Sequence, residues 1–480
     1  FQVKMLPEDA DLLDIRYNVI QWVHRSTRGW SYGASVSDPR TGEIIKGHVS
    51  LGSLRIRQDF LIAQALQAPY ANDDTSDQFA LEMALARIRQ LSAHEVGHTI
   101  GLAHNFAAST KGRSSVMDYP HPTLSIKDGK VDFTDAYDTK IGDWDKVSIA
   151  YSYGEYLEDE DASLSKLLDE AFKKGARFIS DQDARPLGSA HAYAHLWDNG
   201  SDVSEELENL LSIRRNSIAN FSKDNIKSNQ PYSVLEDVFV PLYFLHRYQT
   251  EGVTKVIGGL DYTYAIKDDG NTIVKRIPGK LERKALVSVI KTLSIEELAI
   301  PKQLLNLFPP RAFNYGRTRE SFKSKTGVAF DPFGAVETAS AMTLGLLLHP
   351  ERVTRLVQHK SLDSSQLGLV EVLDDLIANS FQKSYKDSYY QELQNIVNYQ
   401  VLNHLFHLSS NKDMYWQVNA IVNDKIDKIN TLLNNSKKPG IQKIYHKDMI
   451  KMISNFKKNP TKFKKPITPK IPDGSPIGNN

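Results

Sequence analysis

Eleven consecutive residues hold most of the chemistry that can be read from this chain: His94-Glu95-Val96-Gly97-His98-Thr99-Ile100-Gly101-Leu102-Ala103-His104. On a helix, residues four apart share a face, so His94 and His98 direct two imidazoles at one point. Neutral imidazoles at that spacing suit Zn²⁺, at Zn–N distances of about 2.0–2.1 Å. A third ligand six residues further on cannot lie on the same face. The chain must turn, and Gly101 is the residue able to enter the left-handed region and let it do so. His104 then completes a three-His site whose fourth position stays open, the mark of a catalytic rather than a structural zinc. Glu95 sits about 100° around the helix from His94. From there its carboxylate reaches a zinc-bound water, takes its proton as the water attacks a carbonyl, and passes that proton to the leaving amine. The short form of the motif recurs by chance. With 14 His and 27 Gly in 480 residues, the five-position pattern is expected on the order of 10⁻⁵ to 10⁻⁴ times in such a chain.

The residues that follow sharpen the class. Ser115-Val116-Met117-Asp118-Tyr119 comes shortly after His104. An HExxHxxGxxH segment followed by a Met in an S-x-M-x-Y turn resembles the metzincin zinc endopeptidases. The resemblance implies that Met117 lies beneath the three imidazoles as a packing side chain rather than a ligand. It also implies that Tyr119 stands close to the metal, ligating it at rest and hydrogen-bonding the tetrahedral intermediate during turnover. Metzincins bind substrate by adding it to an edge strand above the zinc, and Gly47-His48-Val49-Ser50-Leu51 resembles that strand. Tyr119-Pro120-His121-Pro122 would wall the pocket for the residue after the cleaved bond. Gly47, His48, Val49, Ser50, Pro120 and His121 are therefore the expected substrate-binding residues. Similarity at the level of motifs covers about residues 15–155. More closely, the chain resembles the large bacterial zinc-dependent metalloproteases with a Met-zincin catalytic domain, which carry a long helical region after it and are usually exported. Trp197-Asp198-Asn199-Gly200 and the ending at residues 471–478 match that group. On the same ground alone, the expected location is periplasmic, outer-membrane-associated or extracellular. Metzincins usually place a long helix between the first strand and the edge-strand hairpin. None follows Arg16, so the resemblance implies a module without its front.

The elements that must position these residues are an α+β module and a mostly helical remainder. Residues 16–23 alternate and are rich in β-branched and aromatic side chains, as a half-buried strand requires. Residues 30–36 are a second candidate strand. A turn at Asp38-Pro39-Arg40-Thr41-Gly42 leads to a third at 43–51. A helical period then runs over 53–68 and stops at Pro69. The series Thr75-Ser76-Asp77-Gln78 resembles a capping box opening a long helix through Leu81, Leu85, Ile88 and Leu91 into the motif, with Gly101 as its stop. Residues 107–143 read as loop, and Asp143-Trp144-Asp145 opens a helix towards Gly154 that resembles the closing helix of the metzincin module. The organisation expected is a catalytic module over 1–155, an acidic connector over 156–200, a mostly helical region over 201–458 and an extended basic, Pro-rich tail over 459–480. One hairpin, around Asp269-Gly270, interrupts the helices.

Composition narrows the alternatives. Four hundred and eighty residues exceed one ordinary core. Lys plus Arg is 59 against 58 Asp plus Glu, which gives no case for a nucleic-acid partner. The eleven Lys between 437 and 470, against the single acid Asp448, read as a solvated basic tail. No cysteine is present, which removes thiolate metal sites and cysteine nucleophiles. No run approaches the ~18 apolar residues of a membrane helix, and residues 1–15 contain no leader-like apolar stretch. The expected partner is a protein or peptide substrate. A thermolysin-like site would need a downstream Glu ligand, and no Glu occurs between Glu95 and Glu155. The other reading, a catalytically inactive binding or assembly protein on the same fold, runs against the intact Glu95 and three histidines. His191 and His195 are four apart but lack a Glu or third ligand, and His404 and His407 read as ordinary helix residues. Asp132, Asp135 and Asp138 offer the oxygens Ca²⁺ takes, without the Gly-centred loop that would support a site.

Overall fold

The computed structural model describes residues 2–24, 31–71, 77–157, 159–464, 466 and 468–474. Phe1, Trp30, the Thr75-Ser76 half of the capping box and residues 475–480 lie outside that set. Three strands open the module: β1 (Val19–Val23), β2 (Tyr32–Ser37) and β3 (Ile44–Gly52). They form one sheet in the order β1-β3-β2, with β1 parallel and β2 antiparallel to β3. The sheet rests on the long helix through a small cluster in which Val49 and Leu51 meet Ile88, Leu91 and Val96. These are the inward positions that strand alternation and helical periodicity select.

The sheet order corrects one expectation. Gly47, His48, Val49 and Ser50 do not lie on an edge, because β3 is the middle strand. His48 is registered with Val19 on one side and Ala34 on the other. The His48 ring also meets Gln21 Oε1 at 3.2 Å, and the Gly47 N–H donates to Asn18 Oδ1 at 2.7 Å. Alternation reports which residues face the core, not which strand is outermost. Among the described residues β2 pairs with β3 alone and is the antiparallel edge.

Helix α1 (Leu54–Leu66) packs along α2 (Gln78–Thr99). Gly101, at φ +85°, follows the end of α2. A two-residue turn joins β4 (Ser125–Lys127) to β5 (Lys130–Asp132), and α3 (Asp143–Tyr153) and α4 (Glu160–Lys173) follow. A four-residue helix, α5 (Asp181–Ala184), precedes α6 (Val203–Asn220), α7 (Leu235–Tyr243) and α8 (Arg247–Val256). The expected hairpin is β6 (Leu260–Tyr262) with β7 (Val274–Arg276). Longer helices follow, including Pro332–Leu347, Ser388–Ser409, Trp416–Asn435 and Ile441–Lys458. The architecture is α+β as expected. The helical region's core also takes in Ala65 and Leu66 of α1 and Leu124 and Val131 beyond the site, so module and helical region share packed surface. No helix of the described residues is long and apolar enough to cross a membrane.

Candidate metal centre and active site

The three histidines converge. His98 Nε2 lies 3.1 Å from His94 Nε2 and 3.0 Å from His104 Nε2. Each ring gives its other nitrogen to an oxygen acceptor: His94 Nδ1 to the Val116 carbonyl at 2.6 Å, His98 Nδ1 to the Leu102 carbonyl at 2.9 Å, and His104 Nδ1 to Asp181 Oδ2 at 2.8 Å. With all three Nδ1 atoms protonated, three Nε2 lone pairs face one another across about one atom's width. That is repulsive without a cation and complementary to one, and it is the tautomer that oxygen acceptors on Nδ1 enforce at zinc sites. Burial and the neighbouring imidazoles also push His98 down to about 4 and His94 well below its ordinary value, so these two rings are held neutral, as ligands must be. The residues present therefore fit a zinc ion.

Glu95, next to His94 in the chain, is 2% exposed. Burial raises its carboxyl to about 7, while the Gly33 N–H and the charge of Arg87 pull the other way. Gly33 belongs to β2, and any side chain there would collide with the Glu95 backbone carbonyl. A glycine is thus what lets the edge strand approach the helix. Nothing in the sequence had marked it.

The S-V-M-D-Y segment packs against the long helix. Met117 is 1% exposed, and its sulfur lies so close under Gly97 that a Cβ there would force it to shift. Val116 O accepts from both His94 and Gln90, the latter at 3.1 Å. Buried Asp145, read from sequence only as part of a helix start, anchors the turn. It accepts from Ser115 Oγ at 2.5 Å, the Val116 N–H at 2.8 Å and the Gly142 N–H at 2.7 Å. The Tyr119 hydroxyl is 2.9 Å from His104 Nε2, and its ring stacks on Trp197 at 5.0 Å. Burial raises the Tyr119 phenol to about 12.

Sequence reasoning missed the segment over 177–200, read as a connector. The Ile179 carbonyl accepts from the Phe106 N–H at 2.8 Å, and Asn105 Nδ2 donates to the Arg177 carbonyl at 2.7 Å. The segment thus brings Asp181 to His104 and Arg185 to the Tyr119 hydroxyl, at 3.1 Å. Although burial works against it, His104 and Arg185 hold Asp181 well below the usual carboxylate range. Trp197, at φ +63°, donates its N–H to the Tyr119 carbonyl at 2.8 Å. Asn199 Nδ2 donates to the His121 carbonyl at 3.0 Å. His121 is itself buried, pushed down to about 4 by that burial. It lines a cleft with Arg55, Trp197, Phe244 and Arg247, and Pro120 lies on a second cleft beside Asp118 and Asn199.

The remaining candidates do not assemble. Among the described residues the only metal-capable group of three or more His, Asp and Glu is His94, His98 and His104. His191 Nε2 is bound to the Tyr262 carbonyl at 2.9 Å. Asp132 pairs with Lys127, and Asp138 with Arg113 at 2.7 Å. His404 Nδ1 donates to the Gln400 carbonyl at 2.8 Å.

An α+β module with three imidazoles split between a helix and its glycine turn, and a buried methionine packed against Gly97 of that helix, defines a metzincin-type domain. The Met-zincin family profile matches residues 76–388, roughly two thirds of the chain, and the chain belongs to that family. The matched stretch includes the 177–200 segment and much of the helical region. Neither curated proteins nor solved structures give a match.

Proposed function

We propose that this chain is a zinc-dependent endopeptidase. The observation that carries the reading is the set of three mutually facing Nε2 atoms, each oriented by an acceptor on its Nδ1, with buried Glu95 alongside. Zinc bound there supplies Lewis acidity, polarising the peptide carbonyl and making water a competent nucleophile near neutral pH. Glu95 takes the proton from that water as its oxygen bonds to the carbonyl carbon. It then delivers the proton to the amide nitrogen as the C–N bond breaks. A carboxyl raised towards 7 is suited to both halves of that transfer. The Tyr119 O–H is the nearby donor for the oxygen that gains charge. For substrate, the reading moves to the outer edge of β2, at Ala34, Ser35 and Val36, where an extended peptide adds as a further strand. The wall at Pro120 and His121 stays part of the proposal.

Glu95→Gln tests the reading. It should leave one zinc bound per chain and lower cleavage of a mixed peptide library by about a thousandfold or more. Retained cleavage in pure protein would remove Glu95 from the mechanism.

A further inference from the structure

Four side chains close a ring beside the metal centre. His104 Nδ1 donates to Asp181 Oδ2 at 2.8 Å. The other oxygen of Asp181 pairs with Arg185 Nε, one helical turn on. Arg185 Nη2 donates to the Tyr119 hydroxyl at 3.1 Å, and that hydroxyl returns to His104 Nε2 at 2.9 Å. The guanidinium also lies over the rings of Tyr119 and Phe106, at 5.4 and 5.6 Å.

We propose that Arg185 is a positioning residue. It sets the Tyr119 hydroxyl at the metal-facing side of His104 and, through Asp181, fixes the plane of the His104 imidazole. Trp197 and Phe106 pack against the buried Tyr119 ring, but apolar packing places no directional bond on the hydroxyl, and Arg185 supplies one. A guanidinium only donates. It therefore fills one lone pair of the phenol oxygen and leaves the phenol's own O–H directed into the site. The planar fork engages a carboxylate through Nε and a hydroxyl through Nη2 at once, which a lysine ammonium on a flexible stem does not reproduce.

The ring is braced from the helical region. Asp183 of α5, between Asp181 and Arg185 in the chain, accepts from Tyr262 and, at 2.6 Å, from Tyr264, both from the β6–β7 hairpin. The Ser180 N–H donates to the Tyr264 hydroxyl at 3.1 Å, and Arg177 pairs with Asp261. The hairpin thus holds α5, and α5 holds the metal ligand and the phenol together. The kinetic part of this inference rests on the endopeptidase reading; the geometric part does not.

The test compares Arg185→Met, Arg185→Lys, Tyr119→Phe and the Arg185→Met/Tyr119→Phe double variant in the full chain. Each is assayed for zinc content, for peptide cleavage and, after exchange to Cu²⁺, for phenolate-to-copper charge-transfer absorption. Arg185→Met should keep stoichiometric metal, shift or weaken the copper band, and lower kcat roughly ten- to a hundredfold with KM within about twofold. Arg185→Lys should recover only part of the loss. In the Tyr119→Phe background, Arg185→Met should cost less than about twofold more, because the two residues act as a unit. Wild-type kcat and copper spectrum in Arg185→Met, full additivity in the double variant, or no copper band in the wild type would each overturn the proposal. If the wild type cleaves no peptide, the endopeptidase reading fails, and the copper band alone decides the positioning claim.

Discussion

Helix α2 and the segment over 177–200 hold the same site by opposite means. The helix supplies His94, Glu95 and His98 through its own periodicity, and Gly101 turns the chain so that His104 joins them. Those positions follow from backbone geometry over eleven residues. The segment supplies nothing periodic. It reaches the site through bonds between residues more than sixty apart in sequence, among them His104 to Asp181 and Tyr119 to Arg185. The difference teaches that the three imidazoles are brought together locally while their orientation is set by tertiary packing. Altering either region should therefore produce different failures.

The sharpest contrast is in metal affinity. His98→Ala removes a ligand and should cost more than about a thousandfold in zinc affinity, whereas Asp181→Asn leaves all three ligands and should cost about ten- to a hundredfold. Competition against a zinc chelator of known affinity reads both. Equal losses would erase the distinction between ligand and orienting residue.

Acid should probe the segment's packing next. His121 sits near 4 when folded, against about 6.5 when unfolded, so between those values the unfolded chain binds more protons. Stability from this group is full above about pH 6.5, is lost as pH falls towards 4, and amounts to about 3 kcal/mol at most. Urea unfolding of zinc-saturated His121→Gln should show a shallower acid limb than wild type over that window. An unchanged slope would show that His121 does not carry the term.

A smaller effect belongs to the helix. Gly97→Ala places a Cβ against the Met117 sulfur and should destabilise the protein by about 1–3 kcal/mol, read as a lower melting temperature with zinc still bound. An unaltered melting temperature would mean that the turn is not packed against Gly97.

Much of the site was legible in the chain, for physical reasons. The spacing of His94, His98 and Gly101 is imposed by the helix and its exit, and S-V-M-D-Y is a local turn. The strands at 19–23, 32–37 and 44–52 were expected over 16–23, 30–36 and 43–51, the first from its alternation and the others from the turn between them. Their order was not legible, because the inward residues of β3 look the same whether the strand is central or outermost, so Gly47 to Ser50 were misplaced on an edge. Gly33 carries no chemistry of its own, and its role exists only once β2 lies against α2. Asp181 and Arg185 form an ordinary i,i+4 pair in a short polar stretch, and nothing local distinguishes them from surface charges.

The central claim is that one ion sits between three Nε2 atoms. Anomalous scattering from crystals of the zinc-loaded protein, measured on either side of the zinc edge, tests it directly. The account predicts a single strong peak about 2.0–2.1 Å from Nε2 of His94, His98 and His104. A peak bonded to fewer than these three rings, or lying elsewhere in the chain, would contradict it.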